Sequence, residues 1–198
     1  GDFREPLYIN NHDNLVIDGL ELQNERVTAR AGVNDKDAYA ILVHNSGSTI
    51  MSNFVFRNLT FRKVYAVQPI LSPDDFNNLA VSAVSFYTDK NTVAGKEKNI
   101  RNVLMEGCYF TDLQRFGVHM QHAGGGAGIG NDSINRNMNF VFRRNEFRYT
   151  GGSCIQPSMT YNCLIEHNLF DHPGDNSDPR MPNRGSAVWT WRCYNTVI

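Results

Sequence analysis

One pattern of apolar and polar positions recurs along the chain. An asparagine opens it. Three mostly apolar residues, a charge, a short polar turn and a closing Leu or Phe follow. The pattern stands at Asn14–Leu22, Asn53–Phe61, Asn102–Phe110, Asn139–Phe147 and Asn162–Phe170, with a shortened copy at Asn195–Ile198. Successive side chains of a strand point to opposite faces. The first half of each copy therefore predicts a strand with Leu15, Phe54, Val103, Phe140 and Cys163 inward, joined by Ile17, Phe56, Met105, Phe142 and Ile165. The polar turn predicts a corner, and the closing residue the start of a second strand.

Internal repeats come before any other reading, because each unit buries its apolar face only by stacking on the next. Stacked in register, the copies align the charges Asp18, Arg57, Glu106, Arg143 and Glu166, each between opposite charges. At a strand spacing of ~4.8 Å these pair, for ~0–1 kcal/mol each at an exposed site. The corner column reads Leu20, Leu59, Cys108, Asn145, Asn168, and the amides of its last two members are placed to stack.

A further strand follows each copy after a gap of variable length, near 41–45, 84–88, 118–121, 155–158 and 188–191. The spacing from Phe110 to Val118 equals that from Phe147 to Ile155, which sets Val118 and Ile155 inward. Two outward columns result. One is Leu42, Ser85, His119, Gln156, Trp189; the other is His44, Tyr87, Gln121, Ser158, Trp191. Insertions at 24–38, 63–82, 90–101, 123–138 and 171–185 rise on both sides of this face, and long loops on a rigid scaffold tend to carry function. The glycine-rich run at 123–130 lacks the Lys-Ser/Thr of a phosphate-binding loop and reads as one edge of a cleft.

These copies resemble the repeat of right-handed parallel β-helix proteins, the group of pectate-lyase-like polysaccharide lyases, several glycoside hydrolases and phage tailspikes. The resemblance implies an all-β, right-handed single-stranded parallel β-helix of about five coils. It implies one domain over residues 1–198, cut at one or both ends from a longer solenoid. Further coils of a parent chain, or partner chains, are expected at the open ends, because bare strand edges invite pairing. The resemblance also implies a polysaccharide or oligosaccharide partner and a secreted or periplasmic location. It carries over no catalytic residue. The calcium carboxylates and catalytic Arg of pectate lyases, and the Gly-His-Gly and Arg-x-Lys motifs of polygalacturonases, are not intact here. The pair Asp74-Asp75 lies in an insertion.

Composition narrows the field. Nineteen Lys and Arg against twenty Asp and Glu leave no basic footprint, so no nucleic-acid partner is expected. No apolar run approaches the ~20 residues of a membrane span. The cysteines Cys108, Cys154, Cys163 and Cys193 form no CxxC pair, which argues against a zinc ribbon. They read as small buried hydrophobes, with one disulfide left open.

Chemistry is expected on the outward columns. Flat aromatic rings stack on sugar rings, and amides and imidazoles bond hydroxyls, so His44, Gln121, Gln156, Trp189 and Trp191 are the candidate substrate-binding residues, with Arg180 as a carboxylate clamp. The candidate catalytic residues are His119 as general base or acid, Tyr87 as proton donor, and Asp171 and Arg184 from the 171–185 insertion. Asp171, Asp175 and Asp178 offer oxygens suited to Ca²⁺, although no metal site is assigned. The expected function is polysaccharide binding with cleavage by a lyase or glycoside hydrolase. A non-catalytic glycan-binding, adhesin- or tailspike-like protein is the alternative.

Overall fold

The structure, a computed structural model, describes residues 3–29, 35–93, 96–124 and 135–198. The strands come in threes. β1 (Leu7–Asn10), β2 (Leu15–Asp18) and β3 (Glu21–Glu25) are the first set; β4 (Asp37–Asn45), β5 (Met51–Arg57) and β6 (Thr60–Tyr65) the second. After a short helix, α1 (Pro73–Asn78), come β7 (Ala80–Thr88), β8 (Ile100–Glu106) and β9 (Tyr109–Leu113). Then follow β10 (Phe116–His122), β11 (Asn137–Arg143) and β12 (Glu146–Thr150), then β13 (Ile155–Pro157), β14 (Thr160–Glu166) and β15 (Leu169–Pro173), and last β16 (Tyr194–Val197). Corresponding strands of successive sets pair in parallel. The result is three sheets, ordered β1-β4-β7-β10-β13, β16-β14-β11-β8-β5-β2 and β15-β12-β9-β6-β3.

The repeated asparagines make the corners. Asn14, Asn53, Asn102, Asn139, Asn162 and Asn195 all have φ between 53° and 66°. Asparagine tolerates this left-handed backbone because its short polar side chain bonds locally. The amides also bond to one another. Each Nδ2 donates to the Oδ1 of the preceding copy, at 2.9 Å for Asn53 to Asn14, 3.2 Å for Asn102 to Asn53 and 3.0 Å for Asn139 to Asn102. Inside the next corner, the Asn145 amide donates to Asn168 Oδ1 at 3.0 Å, and the Asn145 backbone N–H donates to the same oxygen at 2.9 Å.

The core lies between the three sheets. Leu15, Phe54, Val103, Phe140 and Cys163 stand opposite one another in one parallel sheet, as their repeated pattern predicts. Phe61, Phe110, Phe147 and Phe170 form a column of stacked rings with centroids 4.7, 4.3 and 5.4 Å apart. Outside, Arg57 Nε donates to Asp18 at 2.9 Å and Arg143 Nη2 to Glu106 at 3.1 Å, as the charge column requires. Cys108, Cys154 and Cys163 are buried free thiols, and burial pushes those of Cys108 and Cys154 up to about 11.

This arrangement corrects the expected right-handed single-stranded β-helix of about five coils. The strands sort into three all-parallel sheets of five, six and five strands, closed around one core in a compact body. A nine-residue pattern specifies strands and the copies on which they stack. It does not specify how many sheets share a core, because that depends on corners and insertions of unequal length. Leu20 shows the limit: it occupies the corner column in the edge copy and is 48% exposed, whereas Leu59 and Cys108 are buried.

Among the described residues no helix is long and apolar enough to cross a membrane. The one α-helix among the described residues, α1, has Pro73 in its first turn. The Ser72 hydroxyl accepts from the Asp75 N–H at 3.1 Å and donates to the Asp75 carboxylate at 2.8 Å. That hydroxyl is the main cause holding Asp75 below the usual carboxylate range. Ser72 is therefore the N-cap of α1, and the Asp75 carboxylate reaches back to it and to the Leu71 N–H.

Candidate functional site

A cavity of about 670 Å³ opens on the outer face of the first sheet. Its floor is built by register. Leu42, Ser85, His119 and Gln156 lie side by side across four strands, and His44, Tyr87 and Gln121 form the row next to them. Ser158 bridges in parallel to Trp191, and the Trp189 N–H donates to the Ile155 carbonyl at 3.1 Å, which adds both tryptophans at the open end of the rows. Two walls complete the cavity. Arg4, Asp37 and Tyr39 come from the first part of the chain; Asn77, Asn78 and Leu79 come from the end of α1, with Arg115 from the turn before β10.

His44 is held from both sides. Its Nε2 lies 3.0 Å from Asp89 Oδ1 and its Nδ1 2.8 Å from the Tyr8 hydroxyl. With the ring proton on Nε2 donated to Asp89, Nδ1 accepts from Tyr8. Tyr87 lies against the same imidazole with centroids 5.5 Å apart, and burial, then Asp89, raises its phenol.

His119 is different. Burial, followed by the positive charge of Arg115, pushes its imidazole down to about 3. It presents a neutral ring at ordinary pH, which can donate and accept hydrogen bonds. Arg115 is itself pushed down to about 9 by burial. Asp37 moves in the opposite direction: burial raises its carboxyl, against the opposing charges of Arg4 and Arg26. Gln156 Oε1 and Ser158 Oγ are buried at the floor with no protein hydrogen-bond partner.

Seven of the ten sequence-predicted residues thus meet in one place: His119, Tyr87, His44, Gln121, Gln156, Trp189 and Trp191. The other three do not line the cavity. Asp171 is ion-paired to Arg148 at 2.8 Å and lies 2.6 Å from His172 Nδ1 on the third sheet. Arg180 is spent on Asp178 and Glu25 and stacks over Tyr65 at 4.1 Å. Arg184 lies over the Phe76 ring at 4.9 Å. The suggested Ca²⁺ oxygens are also engaged, Asp175 by Ser177 and Asp178 by Arg180. Among the described residues no group of three His, Cys, Asp or Glu is placed to hold a metal. The glycine-rich cleft edge falls largely outside the described residues.

Asp37, Tyr39, Arg4 and Arg115 were not legible as site residues. In β4 the alternation breaks: Ala40 and Ile41 both enter the core, so Asp37 and Tyr39 reach the cavity in a phase opposite to the one that Leu42 and His44 predict.

No family model matches the chain, and no curated protein matches it. Among solved structures it is similar to a GH136 lacto-N-biosidase from Eubacterium ramulus, a selenomethionine derivative, with a TM-score of 0.72 and 15% sequence identity. The match covers 97% of this chain and 33% of that one, so the chain spans about a third of the length of its structural neighbour. At this identity the likeness is one of fold, and chemistry has to be argued from the site. It also corrects the resemblance to pectate-lyase-like proteins: the neighbour found belongs to GH136, and three parallel sheets around one core replace the expected pectate-lyase scaffold.

Proposed function

We propose that this chain is the sugar-recognising body of a carbohydrate-active protein and that an oligosaccharide occupies the cavity on its first sheet. The observation that carries this is the pairing of two kinds of group in one place. Trp189 and Trp191 are 39% and 43% exposed at the cavity, beside the unpartnered polar atoms of Gln156 and Ser158. A sugar ring has C–H faces that suit an aromatic ring and hydroxyls that suit amides and hydroxyls. A buried polar atom left without a partner costs free energy that a bound hydroxyl removes. The neighbour named as a lacto-N-biosidase supports the same direction.

Cleavage of a glycosidic bond is a second reading, and Asp37 favours it. Glycoside hydrolysis commonly uses a carboxyl group kept protonated by its surroundings to protonate the leaving oxygen, with a second carboxylate opposite. Asp37 has the raised carboxyl, and it is the single carboxyl among the described residues lining the cavity. Hydrolysis therefore needs a second carboxylate from beyond that lining.

Calorimetric titration with a panel of neutral oligosaccharides tests the binding reading. Trp189→Ala is expected to weaken a bound oligosaccharide about two- to twelvefold, which corresponds to the ~0.5–1.5 kcal/mol of an aromatic contact. Full affinity in both Trp189→Ala and Trp191→Ala would sink the proposal. For cleavage the readout is release of reducing ends, which Asp37→Asn is expected to lower by about 10²–10⁴-fold while binding persists.

A further inference from the structure

One charge in the cavity wall is left unmatched by the protein. Arg115 is 8% exposed. Its guanidinium carbon lies 4.4 Å from the Phe76 ring centroid and 4.1 Å from that of Phe116. Nη1 donates to the Leu79 carbonyl, whereas Nε has no partner. Among the described residues no carboxylate pairs with it, and Arg184 acts on it as a like charge. Arg184 lies over the same Phe76 ring and so adds a second cation. Arg4, the other cation of the cavity, is already forked onto Glu5 at 2.6 and 2.8 Å.

Aromatic faces offset part of the cost of burying a cation. They satisfy none of its N–H donors, and a buried charge without a counter-charge is destabilising. A counter-charge for Arg115 therefore has to come from outside the protein's described residues. The site also has a place for the rest of a sugar, since Trp189 lines the same cavity and its ring lies 6.5 Å from that of Phe76, on which Arg115 packs. A purely structural pin between α1 and β10 needs only the Leu79 bond and the two rings, and a neutral side chain would serve it without the electrostatic cost.

We propose that the Arg115 side of the cavity is a subsite for a carboxylate-bearing sugar residue, a uronic or sialic acid, whose carboxylate faces the guanidinium while its ring lies toward Trp189. This rests on the sugar-binding reading and names the substrate class within it. A planar carboxylate matches the fork of guanidinium donors in a way that a hydroxyl cannot.

The experiment is calorimetric titration of the chain with paired oligosaccharides that differ only in the terminal residue: glucuronic acid against glucose, galacturonic acid against galactose, and a sialylated glycan against its asialo form. The acidic member of at least one pair is expected to bind about tenfold or more tightly. Its methyl ester, titrated against the unaltered protein, is expected to lose that advantage, so the inference does not depend on a variant that folds. Arg115→Gln is expected to bring the acidic-to-neutral ratio close to one. Equal binding of both members of every pair overturns the acidic subsite and leaves the sugar-binding reading standing. Binding of neither member in any pair overturns both. A preference that survives esterification, or that a sulfate ester exceeds, overturns the carboxylate assignment.

Discussion

His119 sits between Ser85 and Gln156 with the Arg115 charge acting on it, and its depressed imidazole makes stability depend on pH in one direction. Below the ordinary imidazole value of 6.5 the unfolded chain binds a proton at this position, while the folded chain does not until about 3. The unfolded state then holds more protons across that interval, so stability rises with pH through it and is complete above about 6.5. His119→Gln is expected to flatten this acid limb in urea midpoints measured from pH 4 to 7. An unchanged limb would mean that His119 titrates normally in the folded protein. The same residue marks a boundary of sequence reading. Its outward register was legible from strand alternation, but its protonation was not, because Arg115 arrives from a turn that no repeat position encodes.

At the scale of the element, the corner asparagines join two functions. Their φ values of 53–66° make the turn, and their amides run a hydrogen-bonded line from Asn14 to Asn195 along the second sheet. Asn102 lies inside this line, bonded to Asn53 and to Asn139. Replacing it separates the two contributions. Asn102→Gly keeps a residue at ease with positive φ and loses two side-chain bonds, each worth ~0.5–1.5 kcal/mol at most on an exposed face. Asn102→Ala loses the same bonds and adds the ~1–2 kcal/mol of a left-handed alanine. Denaturant unfolding is expected to rank the alanine variant below the glycine variant; the reverse order would remove the backbone argument. The recurrence of Asn at the head of each copy made the corner readable. The amide line was not, since it depends on the stacked copies lying in exact register.

For the molecule as a whole, the stacked phenylalanines of the third sheet fill the core that all three sheets share. Phe110 is fully buried between Phe61 and Phe147, at 4.7 and 4.3 Å. Phe110→Ala is expected to cost about 3–5 kcal/mol, the usual range for emptying such a site. Both tryptophans report from the cavity on the first sheet. Their fluorescence and the far-ultraviolet circular dichroism are expected to shift together to the same lower midpoint. Separate midpoints would show that the cavity sheet unfolds independently of the core.

The repeated alternation by itself determined the strands, their parallel stacking in register and the two rows of outward residues that floor the cavity. These follow from local periodicity and equal spacing, which neighbouring copies read identically. The closure of three sheets around one core was decided only in the tertiary structure, because it depends on corners and on insertions that share no pattern. The walls of the site were decided there too. Asp37 and Tyr39 face the cavity through a break in alternation at Ala40 and Ile41, and α1 brings Asn77 and Asn78 to its edge. Arg115 became part of the site only when Phe76, from a distant part of the chain, closed on it opposite its neighbour Phe116. Its unmatched charge arises from burial, and burial is a property of the assembled fold that no single stretch of sequence carries.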